Sequence, residues 1–392
     1  MWDKNSKVTL FDFEIHQDEE KLIVESKQTG DFFEMSITAV EAIRLLDKGK
    51  TVDETEIYLR AAFPQEEIKM EEFINQLIQL NFMKKIDDEE FGNPTTKSST
   101  KGFLWINESV GRIFFNKFSR IIFILSLLGS LLMFIIKPSL FPDYRDIFWY
   151  DLMLINILLF SSVSIFLVLI HEAGHILAAR SYGIPVKLNI GHRLFFPVLE
   201  SDVSSAWKLS REKRNIIFLG GLSFDIVILF LSLVIQRYFL RGDEGLFNAI
   251  ITMTIFNIII RIIYQCCLYM KTDLYFVLEN SSGLYNLLEE GQEYLKRKVS
   301  SSRKDNKIGG YIKAFSVFYL IGVSISITLF LVYYIPQLLF SVEQALANLA
   351  SPINTLKFWD GTVFLIQLIA VAFLLIFSWM RSLRNFLRSK AI

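Results

Sequence analysis

Cysteine and histidine are both scarce in this chain of 392 residues. Its two cysteines, Cys266 and Cys267, are adjacent within an apolar run. Neighbouring residues do not readily close a disulfide or offer two ligands to one metal, so the pair reads as apolar filling. The four histidines are His16, His171, His175 and His192. No internal repeat is visible, and Met1-Trp2-Asp3-Lys4 leads into mixed polar sequence without a secretory-signal pattern. Net charge is also lacking, with 41 acids against 41 bases, but the charges are segregated. Residues 1–95 carry 22 acids and 11 bases, leaving 19 and 30 for the rest. An acidic head of this kind argues against a nucleic-acid partner, which needs a positive footprint. What the chain has in excess is apolar surface. It is 52% hydrophobic and 14% aromatic with a positive mean hydropathy, more than a soluble protein of this length needs.

Six segments are apolar for the roughly 20 residues that a helix needs to cross a bilayer. They lie near Phe118–Ile136, Leu152–Ala179, Asn215–Leu240, Leu246–Met270, Tyr311–Phe340 and Phe358–Met380. Lys and Arg concentrate before the first, between the second and third, between the fourth and fifth, and after the sixth. That alternation predicts a multi-pass protein of the cell membrane, in contact with lipid, with both termini cytoplasmic. Trp149, Tyr150 and Trp359 suit the aromatic belt of the far side.

The first 90 residues predict a small soluble α+β, winged-helix-like domain. Strands are expected over Val8–Phe13, Lys21–Ser26 and Asp31–Met35, with a turn at Gln28-Thr29-Gly30. Three short helices follow. Thr38 with Glu41, and Thr51 with Glu54, have capping-box spacing. Phe73, Ile74, Leu77 and Ile78 recur at helical spacing as a core stripe. The expected division is therefore a head at 1–90, a polar linker at 91–117, a membrane core at 118–280, a cytoplasmic loop at 281–310, and a terminal pair of spans with a basic tail at 311–392.

The chemistry concentrates at His171-Glu172-Ala173-Gly174-His175, directly after the apolar run Ile165–Ile170. Histidines four apart share one helix face, so both can ligate one Zn2+, and the intervening glutamate can act as general base on its water. Ionisable groups inside a span are costly and mark function. Gly174 permits close approach of another helix. A third ligand is needed, and position 181, where some soluble zinc peptidases place a third histidine, is Ser181. Asp273 lies at the same expected depth as the histidines, at the cytoplasmic end of the fourth span; Asp225, inside the third span, and His192 are the rivals. Asp225 is also a candidate either for orienting a site group or for pairing with another helix, and Asn257, in the fourth span, for stabilising an oxyanion.

His171-Glu172-Ala173-Gly174-His175, then Gly220-Gly221-Leu222-Ser223-Phe224-Asp225, then Asp273, in this order across residues 150–280, resembles the site-2 protease family of intramembrane zinc metalloproteases. The β-rich stretch Ile184–Leu199 is similar to one in that family. The resemblance implies one zinc held by His171, His175 and Asp273, with Glu172 as catalytic base. Leu274 stands where the family usually has glycine after the aspartate, no proline precedes it, and Asp225 replaces the asparagine of a Gly-Pro-x-x-Asn element. The head more weakly resembles PqqD-like domains, which recognise leader peptides of ribosomally made, modified peptides. That likeness rests on the three strands, Phe32-Phe33-Glu34-Met35-Ser36, Ala39–Leu46 and Thr51. It implies that a peptide adds a strand to an open edge, in a groove made by Asp31, Phe32, Phe33, Glu34, Met35, Phe73 and Leu77.

The expected activity is a zinc metalloendopeptidase that matures a small, bacteriocin-like precursor peptide at the cytoplasmic face, with a peptide-modifying enzyme or exporter as further partner. Two alternatives stand beside it. One is a regulatory intramembrane protease acting on a membrane-protein substrate; the other is a non-catalytic export or immunity factor. Spans five and six carry no charge deep inside, which disfavours an ion pathway.

Overall fold

Long apolar runs dictate helices wherever backbone polar groups must be satisfied within one segment, and helices dominate the chain. The structure, a computed structural model, describes residues 3–18, 21–87, 89–91, 102–193, 196–240, 245–283, 287–299 and 310–389. Much of the expected linker (92–101) and loop (284–286, 300–309) therefore lies outside the described residues, as do the side chains of His192 and of the basic tail over 381–389.

The head opens with β1 (Val8–Leu10), β2 (Phe13–Asp18), β3 (Lys21–Ser26) and β4 (Phe32–Met35). Helices α1 (Ile37–Asp47), α2 (Val52–Ala62) and α3 (Met70–Gln79) follow, then β5 (Met83–Ile86) and β6 (Glu89–Glu90). Next come α4 (Glu108–Phe114), α5 (Lys117–Ile136), α6 (Met153–Arg180), the hairpin β7 (Lys187–Arg193) and β8 (Phe196–Asp202), and α7 (Arg211–Phe218). The remainder is helical: α8 (Gly220–Tyr238), α9 (Leu246–Gln265), α10 (Asp273–Ser282), α11 (Leu287–Val299), α12 (Gly310–Leu329), α13 (Ile335–Leu349) and α14 (Leu356–Ser389), with a π turn at Phe330–Tyr334 joining α12 to α13.

Two compact units divide these elements. One joins residues 1–116, 172–220 and 280–283; the other joins 117–171, 221–279 and 284–392. In the first, β2-β3-β4 form one antiparallel sheet with β4 at an edge, β1-β5-β6 a second, and β7-β8 a hairpin. The head core is filled by Val24, Ile43, Leu46, Leu59, Ile74 and Leu77, each almost wholly buried and worth about 1.5–3 kcal/mol relative to exposure. Thr51 forms the expected capping box with Glu54. The box expected at Thr38 and Glu41 does not form. Ser36, in extended conformation, caps α1 by accepting from Ala39 N–H, while Thr38 lies inside the helix and donates to Glu66 Oε2 at 2.6 Å. The strand expected over Val8–Phe13 ends at Leu10, and Phe13 starts β2. The expected linker contains α4, and the expected loop contains α11.

Six helices among the described residues are long and apolar enough to cross a membrane: Glu108–Ile136, Met153–Arg180, Gly220–Tyr238, Leu246–Gln265, Ile312–Leu349 and Leu356–Leu374; most of their length belongs to the second unit. Large apolar side chains stay exposed along them, including Phe118, Ile135, Phe166, Ile321 and Phe373. Surfaces of that extent need a non-aqueous neighbour, consistent with a multi-pass membrane protein. The unit's core is Leu167, Leu229, Leu233, Met253, Ile255 and Ile258. The N-terminus of α6 is held from 206 and 207 residues away: Asp360 of α14 accepts from Met153 N–H at 2.9 Å and Leu154 N–H at 2.8 Å, and Asn348 donates to the same carboxylate. This satisfies orphan donors of a helix start where water is scarce.

Candidate metal centre

Leu, Ile and Phe without an interior Gly or Pro carry α6 from Met153 to Ala173. The helix ends where Gly183 takes φ 77° and Ile184 N–H returns to Ala179 O. His171, Glu172 and His175 occupy its last third, all buried. The boundary between the two units passes through α6 between His171 and Glu172.

On the membrane-unit side, His171 Nδ1 lies 2.8 Å from Asp225 Oδ2. A carboxylate only accepts, so Nδ1–H donates, and a neutral ring then presents its lone pair at Nε2. That nitrogen is 3.2 Å from Asp273 Oδ2. Asp225, on α8, is fully buried, and its other oxygen accepts from Arg261 Nη1 at 3.1 Å. Arg261, on α9, also donates to Leu167 O and Asn257 Oδ1. Asn257 Nδ2 in turn meets Ser164 Oγ, so both ends of the Asn257 amide are engaged in this network. Asp273 is fixed by Gln265, whose Nε2 donates to Asp273 Oδ2 at 2.7 Å and whose Oε1 accepts from Asp273 N–H at 3.0 Å. Lys271, at φ 51°, turns the chain after α9, and Thr272 Oγ1 donates back to Gln265 O. Asp273 thereby opens α10, where the helix dipole favours a negative charge.

Gly221 makes this packing feasible. A Cβ there would lie 2.5 Å from His171 Nε2; at the preceding Gly220 it would lie 2.6 Å from Gly174 O.

On the other side of the boundary, His175 Nδ1–H donates to Ile217 O at 2.9 Å, again leaving Nε2 as the lone-pair nitrogen. Ser201 of β8 donates from Oγ to Glu172 Oε2 at 2.7 Å. His171 and His175, one turn apart on α6, form with Asp273 one of two groups of potential metal ligands among the described residues. His171 and His175 each spend Nδ1–H on a carboxylate or a carbonyl, the kind of contact that orients an imidazole toward a metal. At zinc bond lengths, neighbouring ligand atoms of a tetrahedron stand about 3.3 Å apart, which the 3.2 Å between His171 Nε2 and Asp273 Oδ2 matches. Asp225, Asp273 and Arg261 leave one net negative charge around His171, which suits a dication.

The second group, Glu14, His16 and Glu25 on β2 and β3, is not of this kind. Lys27 bonds both glutamates, and Lys208 Nζ sits 2.9 Å from Glu25 Oε1, so cations are already supplied.

The groove residues expected in the head are divided by the fold. Asp31 and Phe32 line an open cleft and Glu34 is exposed on β4. Phe33 packs edge-on against Phe82 at 5.4 Å, Met35 and Phe73 rest on the core, and Leu77 is wholly buried, beyond a peptide's reach. Ser201, Arg261 and Gln265 belong to none of the sequence motifs. For Arg261 a signal was present, a full charge in the middle of a span; for Ser201 there was none. No family model, curated protein or solved structure matches the chain.

Proposed function

We propose that this protein is a membrane-embedded zinc metallopeptidase that cleaves a small ribosomally made precursor peptide at the cytoplasmic side of the membrane, with the head capturing the leader. The observation that carries this reading is the set of oriented ligands on and against one membrane-type helix. His171 Nε2 stands beside Asp273, its Nδ1 is fixed by Asp225, and Glu172 lies between His171 and His175. His171, His175 and Asp273 would hold the metal. Zinc, when bound, acidifies a water in its open position to a pKa of about 7 and polarises the scissile carbonyl.

The chain's own groups supply the rest. Glu172 takes the proton of the attacking water and delivers it to the leaving amine, and the Ser201 hydroxyl holds Glu172 Oε2 in one orientation while this happens. Gln265 and Arg261 keep Asp273 and Asp225 from rotating away from His171. The substrate must be extended to place its carbonyl there, and the position of β4 at the end of its sheet supports capture of its leader by strand addition. The Lys/Arg distribution supports cytoplasmic termini.

Mass spectrometry of peptides from host cells carrying the wild type or Glu172→Gln tests the proposal. A short peptide with a defined terminus, present only with the wild type while zinc content stays equal, is the expected result. Cleavage that persists in Glu172→Gln refutes the base assignment. A second reading, a regulatory protease acting on a membrane-protein substrate, is favoured by His171 lying inside a span-length helix. Wild-type-dependent fragments of a membrane protein would select it.

A further inference from the structure

The first unit contains a cleft of about 790 Å³ that the catalytic proposal does not use. One wall is the β3–β4 turn with the first residue of β4, and the other is the open end of the β7–β8 hairpin with the segment after it. Phe32, Pro185 and Trp207 give it apolar surface. Its ionisable lining is balanced: Lys27, Lys187 and Lys208 against Glu25, Asp31 and Asp202. Much of that charge is already paired, since Lys27 and Lys208 both bond Glu25, and Asp202 accepts from Ser204. A cleft with no net charge is not built for a phosphate, a nucleotide or a polybasic ligand. Its size and its mixture of apolar wall and polar rim suit a peptide segment.

Its position specifies which segment. One end is continuous with β4, whose outer edge is the strand-addition site of the proposed function. The other end is at Lys187 and Asp202, paired across the base of the hairpin. Ser201, the neighbour of Asp202, points to the opposite face of β8 and bonds Glu172. Adjacent residues of β8 thus face the cleft and the general base, on opposite sides of one hairpin.

Resting on the peptidase reading, we propose that this cleft holds the extended segment joining a leader paired on β4 to the scissile bond at Glu172. The cleft would then fix how far along the precursor the cut falls from the recognised leader, and would favour an apolar side chain in the segment between them.

Site-specific photocrosslinking in the full-length Glu172→Gln protein tests this. p-Benzoylphenylalanine is placed singly at Glu34 on β4, at Lys187 or Ser205 in the cleft, and at exposed Ile57 as control. The protein is irradiated in the host cells, and adducts are mapped by mass spectrometry. The expected result is one peptide crosslinked at Glu34, Lys187 and Ser205 but not at Ile57. Its Lys187 and Ser205 adducts should fall between the Glu34 adduct and the cut found with the wild type. Adducts at Glu34 with none at either cleft position overturn the cleft's role and leave the peptidase reading standing. A cleaved peptide with no adduct at Glu34 or in the cleft overturns the route altogether. No adduct and no cleaved peptide defeats the peptidase reading itself. Adducts to unrelated proteins in the cleft show an open surface and overturn the inference.

Discussion

Substituting Gly221 by alanine should empty the metal centre without altering a ligand. The added Cβ would lie 2.5 Å from His171 Nε2 and 2.6 Å from Cδ2 and Cε1. Ordinary carbon contacts begin near 3.4 Å, so the ring or the start of α8 must yield by about 0.9 Å. The ring cannot swing freely, because Asp225 holds its Nδ1 at 2.8 Å. Zinc sites keep ligand distances within about 0.2 Å, so the displacement exceeds the tolerance several-fold. Losing an orienting contact alone costs about 10–100-fold in metal affinity, and a displaced ligand costs at least as much. Purified Gly221→Ala should therefore retain about a tenth or less of the wild-type zinc after dialysis against a competing chelator, read by plasma mass spectrometry. Gly129→Ala is the control: its Cβ would meet Phe230 at 2.5 Å, equally crowded but away from His171. It should lower the melting temperature and keep the zinc. Wild-type zinc in Gly221→Ala would mean that His171 Nε2 is not a ligand.

Asp225→Asn offers one acceptor oxygen where His171 Nδ1–H and Arg261 each use one, so zinc affinity should fall about 10–100-fold in chelator competition. Asp360→Ala strips the acceptor from two backbone donors at the start of α6, costing about 0.5–2 kcal/mol; the melting temperature in detergent should fall while zinc content is unchanged. The head should loosen in acid. Burial pushes Glu25 up, but bonds from Lys27, Lys208 and His16 outweigh it and hold the carboxyl below its ordinary value, and Lys27 likewise lowers Glu14, which pairs with Glu25 across β2 and β3. A lowered folded pKa means the stabilisation is complete above the ordinary value of 4.5 and is lost as pH falls through the folded value. Hydrogen exchange of β2 and β3 in the full chain, corrected for its intrinsic pH dependence, should lose protection below that point, and Lys27→Met should flatten the change.

What the sequence disclosed about these sites follows from the range of the interactions involved. Run length alone exposes the six apolar helices, because a span is a local property. His171 and His175 are legible because the α-helical period is local too. The capping boxes show where local pattern stops being sufficient. Thr51 and Thr38 carry the same spacing to a glutamate, yet Ser36 stands two residues before Thr38 and takes the cap, and only backbone conformation decides between them. The groove proposed for the head fails at Leu77 for a related reason: helical periodicity identifies a buried stripe but does not say which of its members a ligand can touch.

Asp225 is marked in the sequence as a possible orienting group, but which group it and the other orienting residues serve is not legible there, and the physics explains why. Asp225 reaches His171 across 54 residues of sequence, Arg261 reaches Asp225 across 36, and Ser201 reaches Glu172 across 29. Each pairing is set by helix or hairpin packing rather than by spacing. Within a span, however, a polar side chain must find a partner, since lipid offers none. Asp225, Asn257, Arg261 and Gln265 are therefore better read as one set than singly. One buried acid and one base on adjoining spans imply a pair, and amides one helical turn from the base on either side imply hydrogen bonds to what that pair serves. Followed through, that rule leads from Asp225 to Arg261, from Arg261 to Asn257, and from Gln265 to Asp273, the contacts that the structure contains. Ser201 escapes it, because a hydroxyl on a hairpin outside the spans has no such obligation, and its contact with Glu172 needed the fold.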